Sequence, residues 1–205
     1  IQKLQIAKLA TPVSVQIAPT SRCNLKCSFC SNVNRNRHED LSDKRVRKII
    51  EDCYSLGTKT VEWTGGGDPT QYEWINDVVW YASSFNCFKQ GMISNGIAVK
   101  DNIEQRILDR LTWLRISMNC LDYVDSVDLP EFKGTLGFSY VMNSNTTQEV
   151  IGRLHELVLK YNPKYVRIVP NCQVSDEEQE LNNILYSKTI AEWGEPYFYQ
   201  AKVFQ

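Results

Sequence analysis

Residues 13–30 read VSVQIAPTSRCNLKCSFC. The first seven form a short β-type run, and the remainder is a polar loop that carries three cysteines. The same pairing of a Val-, Ile- and aromatic-rich run with a polar or glycine-rich ending recurs along the chain. KTVEWT (59–64) precedes GGGDPT, KQGMIS (89–94) precedes NG, and WLRISMN (113–119) precedes Cys120. LGFSYVMN (136–143) ends on Asn143, and YVRIVPN (165–171) precedes Cys172.

Helical patterns lie between these runs. Ser42 is placed to N-cap a helix through about Leu56, with Leu41 and Val46 as a hydrophobic staple and Gly57 at the C′ position. A second helix is predicted over 71–84, burying Trp74, Ile75, Val78, Val79 and Ala82, and a third over 103–111. Thr146 with Glu149, and Ser175 with Glu178, read as capping boxes. The first opens a helix that buries Val150, Ile151, Leu154, Leu157 and Val158; the second opens one that buries Leu181, Ile184 and Leu185.

Six strands alternating with helices predict an α/β fold with a parallel sheet. Right-handed crossovers curl such a sheet into a closed or partial barrel, or a doubly wound sheet. Residues 120–135 carry little helical pattern, so that crossover helix is short or degenerate. The domain reading is one core over 1–191, with a lead-in at 1–12. Residues 192–205 are an extension or the start of a further segment, although YFYQAKVFQ (197–205) itself reads as a strand. The chain opens on Ile1 rather than Met, as a trimmed piece of a longer protein would.

Composition removes several classes of function. Twenty-three Lys and Arg against 24 Asp and Glu argue against wholesale electrostatic binding to nucleic acid or membrane. No apolar run approaches the ~20 residues of a membrane span. Lys3 and Lys8 interrupt any signal-peptide core. Seven cysteines without a secretion signal point to a reducing, cytoplasmic setting, where clustered thiols more often hold metal than form disulfides.

Cys23, Cys27 and Cys30 form C-x3-C-x2-C. A structural zinc site wants four ligands, and His38, Cys53, Cys120 or Cys172 would have to supply the last. None is spaced as a second knuckle. An iron–sulfur cube normally takes four thiolates, so three on one tight loop leave one iron for another ligand.

With these residues in view, the sequence resembles the radical SAM enzymes over roughly residues 11–191. That resemblance implies a partial (β/α)6 TIM-like barrel with CxxxCxxC after its first strand. It implies that Cys23, Cys27 and Cys30 bind a [4Fe–4S] cluster and that S-adenosylmethionine (SAM) chelates the fourth iron. Reduction then cleaves SAM to a 5′-deoxyadenosyl radical that abstracts hydrogen from substrate. Phe29 fills the aromatic slot before the last cysteine, near the adenine. Gly66-Gly67-Asp68-Pro69 resembles the family's GGEP, whose carboxylate meets the SAM amino group; here Asp68 replaces Glu and Gly65 extends the run. Ser94-Asn95-Gly96 resembles the TNG after the third strand, and Ser117 and Asn119 resemble the polar pair of the fourth. A one-electron donor of flavodoxin or ferredoxin type is implied as partner.

Strand alternation adds an inference of its own. If Leu114, Ile116 and Met118 face the helices, Arg115, Ser117 and Asn119 face the barrel interior. The same phase turns Gln16, Glu62, Thr64, Ser139, Asn143, Arg167 and Asn171 inward. A packed barrel interior would hold Val, Ile and Leu instead. Arg115 is therefore a candidate partner of the SAM carboxylate, and Glu62 and Arg167 are candidates for cofactor or substrate; the alternative is an internal Glu–Arg pair with no ligand.

Cys120 and Cys172 follow the fourth and sixth strands and are candidate hydrogen donors or extra ligands, whereas Cys53 and Cys87 read as structural. His155 reads as a surface residue, and His38 lies in the loop after the cysteines. Arg35, Arg37, Lys44, Arg45, Arg47 and Lys48 form a basic stretch, either a solvated face or a contact for phosphates or an acidic reductase. The function expected is hydrogen abstraction from a peptide, a nucleobase or nucleic acid, or a small metabolite. The competing reading is a non-enzymatic zinc or Fe–S scaffold or sensor.

Overall fold

The computed structural model describes residues 11–86 and 88–201, so Cys87 lies outside the described residues. Seven strands form one sheet: β1 Ser14–Ile17, β2 Thr60–Trp63, β3 Lys89–Ser94, β4 Trp113–Ser117, β5 Thr135–Met142, β6 Tyr165–Pro170 and β7 Tyr197–Tyr199. Every neighbouring pair is parallel, and the spatial order is the sequence order. A doubly wound sheet reverses its order at a switch point. This one does not, so it winds one way as a partial TIM-like barrel.

The connections carry α1 Asp43–Ser55, α2 Ile75–Ser83, α3 Val99–Asn102, α4 Gln105–Leu108, α5 Gln148–Tyr161 and α6 Asp176–Trp193. None is long and apolar enough to cross a membrane. The core lies between the sheet and these helices. Val61, Trp63, Met92, Ile116, Phe138, Val166 and Ile168 are fully buried there, against Val46, Ile50, Val78, Val79 and Leu154 of the helices. Buried hydrogen bonds mark which face meets the helices. Trp63 Nε1 donates to Gln90 Oε1 at 2.9 Å, and Gln90 Nε2 donates to the Val79 carbonyl of α2 at 3.2 Å. Period-two alternation then puts Gln16, Glu62, Arg115, Ser117, Ser139 and Arg167 on the opposite, inner face.

Local caps account for two of the helix starts. Ser42 and Ser175 each accept the amide of the third residue beyond, Arg45 and Glu178. Three helices differ from expectation. The helix predicted over 71–84 begins only at Ile75, because Asp68 caps a 3-10 turn over Pro69–Gln71 first. The helix predicted over 103–111 is the single turn α4, and a separate turn, α3, precedes it outside that range. Asn76 bonds the backbone on both sides of the break between them, donating to the Asn102 carbonyl and accepting from the Glu104 amide. The cap of α5 is Thr147 rather than Thr146, whose hydroxyl is engaged by the Asn143 amide and Tyr140.

The apolar stripe of α6 also departs from expectation. Leu181, Ile184 and Leu185 are exposed, while Gln179 and Ile190 are buried. The helix is turned so that Ile190 and Trp193 meet the core. His155 is half-buried rather than at the surface. Its Nδ1 lies 2.5 Å from Tyr197 Oη, Trp193 packs edge-on against its ring, and burial lowers its pKa. The boundary expected after residue 191 falls inside α6, and β7 continues the sheet beside β6.

Candidate functional site

The cysteine loop runs from the end of β1 to α1 and is pinched at its neck. Ser21 N donates to the Glu39 carbonyl at 2.8 Å, Leu41 N to the Pro19 carbonyl at 2.9 Å, and Thr20 Oγ1 to Asp40 Oδ1 at 2.5 Å. Arg22 pairs with Asp40 across the same neck. Two residues of the basic stretch fold back into the loop. Arg35 donates to the Ser21 carbonyl at 2.8 Å, the Asn32 carbonyl at 2.7 Å and Cys30 Sγ at 3.4 Å. Arg37 donates to the carbonyls of Cys23 and Leu25. Arg47 and Lys48 pair within α1 with Asp43 and Asp52. Arg35, Arg37, Arg47 and Lys48 of the basic stretch thus brace their own loop and helix.

Cys23, Cys27 and Cys30 are free thiols, each partly exposed. Asn95 Nδ2 points at Cys23 Sγ at 3.8 Å, and Tyr123 hydrogen-bonds Cys27. Burial, with the neighbouring Cys23 and Cys30 adding to it against the Tyr123 bond, pushes the Cys27 thiol up to about 11. Among the described residues no three His, Cys, Asp or Glu groups are arranged around a single metal ion. His38, Cys53, Cys120 and Cys172 therefore complete no zinc site there. Free sulfurs on one clamped loop, two of them already approached by N–H donors, are a donor set suited to an iron–sulfur cluster.

The second loop is locked to the first. Gly67 N donates to the Thr20 carbonyl at 3.0 Å, and Asp68 N to the Arg22 carbonyl at 2.8 Å. A Cβ on Gly67 would lie 1.9 Å from the Arg22 oxygen, whereas one on Gly66 would meet only Arg35 Cδ at 3.9 Å. Gly67 is needed for loop-to-loop contact, and Gly66 faces open space. Gly67→Ala should therefore push the two loops apart and cost about 1–3 kcal/mol. A Gly67→Ala protein with unchanged melting temperature and iron uptake would contradict this contact.

Asp68 does something other than present a free carboxylate. It is 3% exposed. Its Oδ1 accepts from Thr70 N at 3.0 Å, Thr70 Oγ1 at 2.6 Å and Ser94 Oγ at 3.0 Å; its Oδ2 accepts from Asn95 N at 2.6 Å and Ser94 Oγ at 3.1 Å. Asn95 carries the link onward through Asn24 Oδ1 at 2.6 Å to the cysteine loop. Asp68, Ser94 and Asn95 thus form one buried brace between the second strand's loop, the third strand and the cysteines. Asn119 is similarly engaged: buried, it donates to Asp122 and the Val141 carbonyl and accepts the Val141 amide at 2.7 Å. Ser117 and the half-buried Phe29 remain at the rim.

The remaining cysteines separate. Cys120 is fully buried in the helix-side core, where burial pushes its thiol up to about 12. It sits in the 3-10 turn Met118–Asp122 that follows β4, near enough to Cys27 for their charges to interact. Cys53 is buried, as expected. Cys172 is exposed, and its neighbour Gln173 donates to the Cys30 carbonyl at 3.1 Å, bringing the end of β6 to the cysteine loop. No motif marks Tyr123 or Gln173, because each reaches the cysteine loop along a loop path, and the charge of Arg35 and Arg37 does not show that they fold back onto it. Glu62 accepts from Gln16 at 2.6 Å. Among the described residues it has no ion pair with Arg115 or Arg167, so the internal Glu–Arg pair is not found.

The sequence model of the Radical SAM superfamily matches residues 17–123. GTP 3',8-cyclase of Clostridium perfringens is 27% identical over 112 residues, covering 52% of this chain and 34% of that protein. A probable GTP 3',8-cyclase of Archaeoglobus fulgidus is 27% identical over 110 residues, covering 53% and 36%. The chain thus spans about a third of the length of the curated relatives it matches. Among solved structures, Streptococcus suis SuiB bound to precursor peptide SuiA superposes with a TM-score of 0.64 at 15% identity, covering 97% of this chain and 51% of that one. Native anSMEcpe with bound AdoMet and the Kp18Cys peptide gives 0.61 at 14% identity, covering 92% and 63%. These structures share the fold.

Proposed function

The chain belongs to the radical SAM superfamily, and from that premise we propose that Cys23, Cys27 and Cys30 hold a [4Fe–4S] cluster with SAM on its remaining iron. Membership makes the protein an enzyme of SAM-derived radical chemistry. When bound, the cluster and SAM supply a one-electron cleavage that yields a radical able to take hydrogen from substrate.

The observation that carries this reading is the clamped loop of three free thiols lying against the open Gly66. Arg35 and Asn95 direct N–H groups at Cys30 and Cys23, the kind of outer contact that orients metal-ligating sulfurs. Gly66, with Ser117 and Phe29, borders the space for SAM. Asp68, Ser94 and Asn95 position the two loops rather than contact SAM directly, and Asn119 positions the ends of β4 and β5. Arg115, Glu62 and Arg167 line the inner face of the barrel, where substrate would bind. Of the three substrate classes, the names of the sequence relatives favour a nucleotide. A flavodoxin- or ferredoxin-type donor would deliver the electron, and a cytoplasmic, reducing setting would protect the cluster. The core domain assigned to 1–191 would extend through β7.

Anaerobic reconstitution with iron and sulfide tests the proposal. A brown protein absorbing near ~400 nm, which forms 5′-deoxyadenosine from SAM on reduction, is the expected result. Stoichiometric zinc, with no SAM cleavage, would overturn it.

A further inference from the structure

The inner face of the barrel holds two guanidinium groups that no ion pair among the described residues neutralises. Arg115 has no hydrogen-bond partner for its buried Nε, and no carboxylate within 4.0 Å among the described residues. Its one contact of note is the Trp113 ring, 5.8 Å from its Cζ. Arg167 likewise has a buried, unpartnered Nε and no ion pair; its Nη1 reaches only Gln200 Oε1, at 3.3 Å. Burial, and then the charge of Arg115, holds the Arg167 guanidinium below its ordinary pKa, with Tyr165 and Glu62 acting the other way. Arginine cannot shed its proton to relieve this. Of the inner-face strand residues named above, Glu62, itself held by Gln16, is the one carboxylate set against the two guanidiniums.

Depth and shape say what would fill it. Register places Arg115 level with Gly137, and Arg167 level with Ser139, which is level with Ser117 at the rim. Trp113 lies two residues farther from the rim on the same strand face, with its ring 5.8 Å from the Arg115 Cζ. The floor below is aromatic. A Cβ on Gly91 would lie 1.9 Å from Trp113 Cε2, and one on Gly137 would lie 2.2 Å from Tyr165 Cζ, so both rings rest across the lumen where glycine leaves room. A group that reaches the arginines comes from the rim side, past the space assigned to SAM.

We propose that this lumen is an oxyanion site, in which Arg115 and Arg167 hold a phosphate or carboxylate group of a small-molecule substrate beneath SAM. The proposal rests on the radical SAM reading for what lies above it. It assigns Arg115 to substrate rather than to the SAM carboxylate. Two guanidiniums near enough for the charge of one to act on the other match the planar, bidentate demands of an oxyanion. The group brings the lumen to neutrality or below, and it anchors one end of the substrate while the other end meets the rim.

The test is calorimetric titration of the reconstituted, SAM-bound protein with inorganic phosphate and, separately, with succinate. Binding of one of them is expected, and which one identifies the source of the oxyanion. Arg115→Met and Arg167→Met should each weaken it at least about tenfold, with Arg115→Lys and Arg167→Lys in between. Arg106→Met, at an exposed ion pair with Glu104, should leave it unchanged. Binding of neither anion, equal binding by the methionine variants, or a loss of SAM affinity in place of anion affinity in Arg115→Met would each overturn the proposal. Iron content is scored in parallel. A protein that binds the anion but takes up no cluster would sink the radical SAM reading and leave the lumen site standing.

Discussion

Cys27→Ala is expected to abolish cluster loading and SAM cleavage while leaving the barrel folded. Its thiol sits electrostatically between those of Cys23 and Cys30, and it bonds Tyr123. Changes in groups that merely orient a ligand cost about 10–100-fold in metal affinity, and loss of a ligand itself costs more. Iron affinity should therefore fall by more than about a hundredfold. The thiol is partly exposed and outside the fully buried core, so the melting temperature without iron should move little. Cys120→Ala gives the opposite pattern: its buried thiol packs in the core, so stability should fall by roughly 1 kcal/mol while iron binding persists. A Cys27→Ala protein that keeps its iron and still forms 5′-deoxyadenosine would remove the cysteine loop from the mechanism.

Asp68→Ala is expected to be the most damaging substitution away from the thiols. It leaves Thr70 N, Ser94 Oγ and Asn95 N without their buried acceptor. Stranded buried donors cost about 1–3 kcal/mol each, and breaking a buried charged network about 3–5 kcal/mol in total. For a domain of this size that is a fall of about 6–20 °C in melting temperature. Because Asn95 continues the brace to Asn24 and Cys23, iron uptake should fall with it. Exposed Glu73, five residues on, serves as the control, with Glu73→Ala staying within about 0.5 kcal/mol. If Asp68→Ala kept full stability and iron uptake, and lost only SAM affinity, the carboxylate would be a SAM ligand after all.

The two substitutions show different degrees of legibility. The role of Cys27 follows from the spacing of three thiols, a local property. That of Asp68 depends on Ser94 and Asn95, 26 and 27 residues away along the chain, meeting it across two parallel strands. The motif named the residue, and the fold changed its duty from a presented carboxylate to an internal brace. Asn119 changed in the same way. Thr146 and Thr147 illustrate a smaller ambiguity: both can cap, and only the Tyr140 hydroxyl and Asn143 amide decide which is free to do so.

The sequence by itself determined the parallel α/β class, the three-thiol loop, the Ser42 and Ser175 caps and the polar inner face, while the strand order decided between barrel and doubly wound sheet. Each rests on spacing or period, which short stretches of chain carry in full. Only the tertiary structure decided that Arg35 and Arg37 fold inward, that Cys120 joins the core, that the α6 leucines face out, and that Glu62 leaves the two lumen arginines unpaired. Those outcomes depend on which atoms meet across strands and loops far apart in sequence, and hydrogen-bond partners and charge neutralisation are settled at those meetings.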